Sequence, residues 1–353
     1  MIECDAREIP ADKIKEAFKL GQAEIDASCD MQSEFLAKLT VTPKEIMYNK
    51  PGEEVVARVS GIINSEKLQA MTGNGKVSFN DLYYTYEKEV LELAKEKMAE
   101  DTDGHFTYSK VKMAVFDVIK KFIRHRTIAE GLRIDNRKPE DIRPIYCEVD
   151  TLPRVHGSAI FRRGDTQILS TVTLGAPGDT ETQESMEEDD VKKRYMHHYN
   201  FPPFSTNEAR GMRGPGRREI GHGRLAEKAL EYMIPDAEVC PYTIRVVSEC
   251  MSSGGSTSMG SVCGSTMSLM AAGIKILKPV AGIAMGLMSE TDADGKIGAY
   301  QVLNDLMGTE DFTGDMDFKV AGTRDGITAI QLDTKLKGIT LDIIYETIDR
   351  SLV

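Results

Sequence analysis

Glu310-Asp311-Phe312-Thr313-Gly314-Asp315-Met316-Asp317-Phe318-Lys319-Val320 alternates charged and apolar side chains over its second half. Successive side chains of a strand point to opposite faces, so the pattern predicts a strand with Asp315, Asp317 and Lys319 on one face. Met316, Phe318 and Val320 then line the other face and pack into a core. Two carboxylates and an ammonium on such a strand are costly, and ordinary packing does not require them. They suit a divalent cation with a phosphate: carboxylate oxygens hold the metal and the lysine meets the anion. The same alternation also fits the solvated outer face of an antiparallel strand.

Outward from this stretch, residues 318–322 and 327–333 read as a hairpin around Thr323-Arg324-Asp325-Gly326. Residues 160–174 read as strand, tight turn at Gly164-Asp165, strand. Residues 242–250 form a strand with Ile244, Val246 and Ser248 on one face, and 259–272 a Gly/Ala/Ser-rich helix ended by Gly273. The acidic, aperiodic 178–193 reads as an exposed loop, and Pro279 opposes a further helix from Ile274.

Upstream the texture is helical. One helix starts at Ala11, with Ile14, Ala17, Phe18 and Leu20 as its apolar stripe, and Pro43-Lys44-Glu45-Ile46 opens another. Leu82, Tyr86, Val90, Leu93 and Ala94 mark a third; Val111, Val115, Val118, Ile119, Phe122 and Ile123 mark a fourth. Asp101-Thr102-Asp103-Gly104 has its glycine misplaced for a calcium loop, and Gly73-Asn74-Gly75-Lys76 is no P-loop, since Ala70 stands where the first glycine belongs. Helices followed by a segment of strand runs and helix runs predict an α+β fold.

With 353 residues the chain has room for two domains, and 41% hydrophobic with 28% charged residues is ordinary for a soluble globular protein. No apolar run approaches the roughly 20 residues that span a bilayer, and Met1-Ile2-Glu3-Cys4-Asp5 carries no signal-peptide pattern. Six cysteines without a CxxC pair read as reduced thiols in a cytoplasmic protein, with Cys263 as a helix-packing residue. The net charge of −12 argues against nucleic-acid binding when taken alone. Locally the sign reverses: Arg210, Arg213, Arg217, Arg218, His222 and Arg224 face only Glu219. Screening beyond roughly 10 Å lets such a patch grip a polyanion despite the average.

Three segments point to one kind of ligand. Ser252-Ser253-Gly254-Gly255-Ser256-Thr257-Ser258-Met259-Gly260 follows a strand and opens a helix, where free backbone N–H groups and the hydroxyls of Ser256, Thr257 and Ser258 form an oxyanion cradle. A Ser/Gly-rich helix cap with no ligand is the plain alternative. Arg217-Arg218-Glu219-Ile220-Gly221-His222-Gly223-Arg224-Leu225-Ala226 runs into a helix through Ala229, Leu230 and Met233, gathering the arginines and His222 at its start. Arginine forks match phosphate geometry; a solvated basic turn with a structural histidine is the alternative. In the acidic strand, Asp311 and Asp317 are the metal candidates. Cradle, arginine clamp, carboxylates and lysine together describe phosphoryl chemistry.

From about Leu132 to Val353 the chain resembles the second core domain of the polynucleotide phosphorylase family, whose cores are RNase PH-like. The carrying segments are Asn200-Phe201-Pro202-Pro203-Phe204-Ser205, Arg217 to Arg224, Ser256-Thr257-Ser258-Met259-Gly260-Ser261-Val262-Cys263-Gly264, Val280-Ala281-Gly282-Ile283-Ala284-Met285-Gly286-Leu287 and Gly314 to Gly322. The resemblance implies a mixed β-sheet with packed helices, similar to ribosomal protein S5 domain 2. It divides the chain into the tail of a first core (1–30), an all-helical linker domain (31–128) and a catalytic second core (129–353). It implies 3′-to-5′ degradation of single-stranded RNA by phosphorolysis, inorganic phosphate releasing nucleoside diphosphates, with the reverse reaction polymerising them. Ser256, Thr257 and Ser258 correspond to the phosphate cradle, Arg217, Arg218 and His222 to residues near the phosphate and scissile group. Asp311, Asp317 and Lys319 correspond to a magnesium or manganese site and its neighbour. Also implied are a homotrimeric ring, an RNA-degradation complex as partner, no membrane, and a first core and KH and OB-fold domains outside this chain. The closing helix, 340–353, is expected to stop short. A non-catalytic RNA-binding ring subunit, or a piece inactive for want of assembly, are the competing readings.

Overall fold

Apolar residues at alternating positions build two five-stranded sheets in the computed structural model, which describes residues 2–40, 42, 44, 48–70, 72, 86, 88–92, 95, 106–183, 191–212, 214–292 and 295–353. The first sheet uses β1 (Glu3–Ile9), β9 (Ala281–Thr291), β10 (Ile297–Leu303), β11 (Met316–Gly322) and β12 (Ile327–Thr334). Its order is β1-β12-β11-β9-β10, antiparallel throughout. The second uses β2 (Ile145–Val149), β3 (Gly157–Arg163), β4 (Thr166–Gly175), β7 (Tyr195–Asn200) and β8 (Thr243–Ser252). Its order is β2-β3-β4-β8-β7, with β7 parallel to β8 and the rest antiparallel. The hairpin expected at Gly164-Asp165 is present, Arg163 facing Thr166, and so is the hairpin of β11 and β12.

A helix between the sheets explains its own composition. α6 (Thr257–Ala271) packs on β3, β4 and β8 on one side and on β9 and β11 on the other. Covered on both sides, it has room only for small side chains: a Cβ at Gly264 would stand 2.8 Å from Ser170 Oγ. Cys263 sits on this helix with Sγ 3.5 Å from the Gly282 N–H of β9, a packing position. α5 (Arg217–Glu231) lies on β7, α6 and β12 through Leu225, Ala226, Ala229 and Leu230. α8 (Leu341–Leu352) buries Ile343, Ile344 and Ile348 against the first sheet.

α1 (Ala11–Ala37) puts Ile14 and Phe18 into the same core, while Leu20, expected in its stripe, is 65% exposed. The boundary expected at residue 30 falls inside this helix, and β1 before it adds an edge to the first sheet through β12. α2 (Glu53–Ile62), α3 (Ser65–Ala70) and α4 (Tyr108–Glu130) share a second core around Val55, Val59, Val111, Val115, Ile119 and Ile123, joined by Tyr86 and Val90. α4 runs past 128 to a left-handed cap at Gly131, φ 65°, so the break lies there. Pro43, Glu45, Ile46, Leu82, Leu93, Ala94 and the segments 73–76 and 101–104 lie outside the described residues.

One expectation is corrected and one is met. The segment 178–193 holds a ribbon of β5 (Glu181–Gln183) and β6 (Val191–Lys193), since cross-strand pairing is not visible in local composition; 184–190 lie outside the described residues. Downstream of Ile274 there is no helix before β9, whose glycines and methionines conceal a central strand.

Candidate active site

The loop before α6 is shaped by what its carbonyls accept. Arg143 donates to Gly254 O (2.8 Å), Arg163 to Gly255 O (3.3 Å) and Ser256 O (3.1 Å), and Thr166 Oγ1 to Gly255 O (2.8 Å). Gly255 has φ 115° and Ser256 φ 49°, both left-handed. With its carbonyls turned to the protein, the loop reaches the helix start with N–H groups and hydroxyls to spare. Ser256 Oγ and Ser258 Oγ are buried and lack a hydrogen-bond partner among the described residues. Thr257 differs: its Oγ1 is 2.6 Å from Tyr199 Oη. The cradle expected from three hydroxyls thus has two unengaged, because β7 claims the third.

The arginines of this buried layer converge on Asp305. Its carboxylate meets Arg143 at 2.8 Å and Arg163 at 2.6 Å, with Arg137 at 3.3 Å. Burial opposes its charge, but Arg143 and Arg163 prevail and hold its pKa down at about 2. Next to it Arg133 pairs with Glu310, both fully buried. None of these roles was foreseeable from spacing, since Arg133, Arg143 and Arg163 stand more than a hundred residues from their acidic partners in sequence.

α5 presents the basic segment. Arg217 and Arg218 open it and are exposed; Arg218 Cζ stacks 4.5 Å above the Phe201 ring. His222, one turn on, meets the Tyr199 ring edge-on at 5.5 Å. Burial, then the positive charges of Lys319 and Arg218, lower its pKa to about 3, so the imidazole is neutral, and its Nδ1 is buried without a partner among the described residues. Arg224 faces elsewhere, paired with Glu227 and Glu231, and Arg210 pairs with Glu208; Arg213 lies outside the described residues. The basic cluster is therefore smaller at the site than along the chain.

β11 carries the opposite charge. Lys319 is 6% exposed and its Nζ lies 2.7 Å from Asp317 Oδ2 and 3.2 Å from Gln331 Oε1. The solvated-face alternative is thereby overturned: both faces of this strand are covered. Asp317 Oδ1 is buried and unpaired among the described residues. Asp311 lies on the short helix α7 (Gly308–Thr313), where the carbonyls of Asp311 and Phe312, and that of Gly314 just after it, accept from Lys335 Nζ. Burial and then the charge of Asp317 raise the Asp311 pKa, against the opposing charges of Lys335, Lys319 and Arg218. Asp315, expected on the same face, is taken by the helical layer instead: Arg124 holds both its oxygens (2.8 and 2.7 Å), and Ser289 donates from N and Oγ.

The three segments meet. Gly308 N–H donates to Gly254 O (3.0 Å), seating the cradle on the helix that bears Asp311. Lys319 acts on both His222 and Asp311, and Arg218 does the same. Among the described residues no group of three or more His, Cys, Asp and Glu is placed to hold a metal by itself. Two carboxylates are nonetheless a fitting donor set for an ion that keeps waters and shares a substrate's phosphates. Sequence reasoning missed Tyr199, Phe201 and Lys335 as parts of the site; Tyr199 immediately precedes the Asn200-Phe201-Pro202-Pro203-Phe204 segment and Phe201 belongs to it, the one available signal.

Residues 141–275 match the RNase PH family, described as "3′ exoribonuclease family, domain 1". The polyribonucleotide nucleotidyltransferase of Persephonella marina is 43% identical over 351 residues, 99% of this chain and 48% of that protein. That of Caldicellulosiruptor saccharolyticus is 47% identical over 350 residues, again 99% and 48%. The chain therefore spans about half the length of the curated relatives it matches. Among solved structures, rice (Oryza sativa) Rrp46 matches with a TM-score of 0.47 and 19% identity, over 62% of this chain and 92% of that one. Among the described residues no helix is long and apolar enough to cross a membrane.

Proposed function

The chain belongs to the family of the polyribonucleotide nucleotidyltransferases and carries their RNase PH domain, and on that premise we propose that it holds an active site for phosphorolysis of RNA from the 3′ end. The observation that carries the reading is a set of buried, unpaired polar atoms on the three converging segments: Ser256 Oγ, Ser258 Oγ, His222 Nδ1 and Asp317 Oδ1. Buried polar groups are ordinarily paired, so atoms left over in one place ask for a polar ligand. Two hydroxyls with helix N–H groups suit a phosphate, and a carboxylate oxygen beside Asp311 suits a cation.

In this reading Ser256 and Ser258, with the first N–H groups of α6, hold inorganic phosphate. One of its oxygens attacks the 3′-terminal phosphorus, the bond to the preceding ribose oxygen breaks, and a nucleoside diphosphate leaves. Arg217 and Arg218 orient the two phosphates with planar forks. Lys319 faces charge that develops on the phosphoryl oxygens. Neutral His222 offers a ring nitrogen to the reacting groups. Asp311 and Asp317 would hold magnesium, with manganese as the alternative, and such an ion neutralises phosphoryl oxygen charge when bound. Single-stranded RNA is the polymer substrate; we further propose a cytoplasmic protein that works as a homotrimer within an RNA-degradation complex. The chain through α1, to Ala37, is then the end of a first core, the helical layer to the cap at Gly131 a linker domain, and the remainder the catalytic core.

The test is release of nucleoside diphosphate from a 3′-labelled oligo(A) with magnesium, with and without inorganic phosphate. Phosphate-dependent release is the expected result. Release of monophosphate independent of phosphate would overturn it.

A further inference from the structure

We infer that Tyr199 is a positioning residue of this site, a latch that takes the Thr257 hydroxyl out of the anion's ligand set and ties the phosphate loop to His222 and Arg218. The inference rests on the function proposed above and deepens it. Tyr199 lies near the end of β7, 3% exposed, with Oη 2.6 Å from Thr257 Oγ1. Its ring meets His222 edge-on at 5.5 Å and 69°, and stacks on Phe201 at 6.3 Å and 26°. Phe201 in turn carries the Arg218 guanidinium at 4.5 Å. One aromatic pair thus touches the first residue of α6, the imidazole of α5 and a guanidinium at the start of α5. Burial holds the Tyr199 phenol well above its ordinary range, so the link to Thr257 stays protonated at any working pH.

The consequence concerns which groups grip the phosphate. Ser256 and Ser258 have hydroxyls with no partner among the described residues, whereas the Thr257 hydroxyl is committed to the phenol. Ser256 and Gly255, both left-handed, sit where the loop bends most. A tether at the next residue preorganises that bend, and preorganised donors bind without first being ordered. With its O–H donated to the phenol, threonine at 257 acts on the anion through Tyr199 and not by contact.

Isothermal titration with inorganic phosphate tests this on the whole chain, beside binding of a labelled oligo(A) and the melting temperature. Tyr199→Phe is expected to weaken phosphate binding roughly three- to tenfold, the loss of one hydrogen bond's worth of order. Oligo(A) affinity stays close to the parent and the melting temperature falls by only a few degrees, the cost of about one hydrogen bond, whereas a purely structural tyrosine would lower the melting temperature and leave phosphate affinity unchanged. Thr257→Val gives the same loss, and the double variant loses no more than either single one. Parental phosphate affinity in Tyr199→Phe overturns the inference and leaves the proposed function standing. So does a larger loss in Thr257→Val that adds to the first, which makes Thr257 a direct ligand. No phosphate binding by the unsubstituted chain overturns both.

Discussion

Asp317→Asn removes one charge and almost no volume, and its effects on stability and on turnover should separate. Asp317 Oδ2 is 2.7 Å from Lys319 Nζ, and Lys319, 6% exposed, has Gln331 Oε1 at 3.2 Å as a further partner. Breaking a buried pair by removing one member costs about 3–5 kcal/mol when the other charge is stranded. Here the asparagine oxygen can stay beside the ammonium, and Asp311 is near enough to respond to Lys319. The loss is therefore expected at about 2 kcal/mol, the range of a hydrogen bond to a charged group. In a domain of roughly 150–250 residues that lowers the melting temperature by about 4–8 °C. Turnover should fall much further, about 10²- to 10³-fold, because one of the two carboxylates that would hold the cation at the phosphoryl oxygens is lost while the fold remains. The assay is diphosphate release at 25 °C with saturating magnesium and phosphate, alongside a thermal melt of the same sample. Turnover within about threefold of the parent would refute the role given to Asp317. A variant unfolded at 25 °C would refute the separation of the two effects.

Other consequences can be read from single residues. Gly255→Ala places a methyl 2.6 Å from Gly308 N at φ 115°, so a loss of about 2 kcal/mol and at least tenfold weaker phosphate binding are expected by melting and titration. Asp305→Asn leaves Arg143, Arg163 and Arg137 without their shared carboxylate, and urea unfolding should show a loss of about 3–5 kcal/mol. His197, buried on β7 beside Ser248 Oγ at 3.0 Å, has its pKa lowered from 6.5 to about 4 by burial. The unfolded chain then binds the extra proton between those values, so stability is full above 6.5 and falls as pH drops toward 4. Between pH 8 and 5 the drop is about 2 kcal/mol, seen as a lower urea midpoint, and His197→Asn should flatten it.

Local pattern carried a good deal of this protein. The alternation from Met316 to Val320 is a strand, the hairpins at Gly164-Asp165 and Thr323 to Gly326 are present, and the small-residue run from Met259 is a helix. These are readings of neighbours two to four residues apart, and chain stereochemistry alone decides them. β9 escaped because a central strand rich in glycine and methionine owes its form to the strands beside it, and β10 because it is an edge strand held by β9 alone. β5 and β6 escaped for the same reason, each being short and held by the other.

At the site, the sequence by itself determined the inventory: hydroxyls and glycines before a helix, arginines and a histidine at the start of another, carboxylates and a lysine on a strand. Only the tertiary structure decided what each does. It spent Asp315, just before β11, on Arg124 and left Asp317, two residues on and inside the strand, with an oxygen that has no partner among the described residues. It gave the Thr257 hydroxyl to Tyr199 and left those of Ser256 and Ser258 open. It sent Arg224 to Glu227 and kept Arg218 over Phe201. The physical reason is that burial drives polar atoms to find partners, and those partners stand anywhere from three residues away, as Glu227 does from Arg224, to 191, as Arg124 does from Asp315. Spacing along the chain states which groups are available, while the partners that burial assigns decide which of them remain for a ligand.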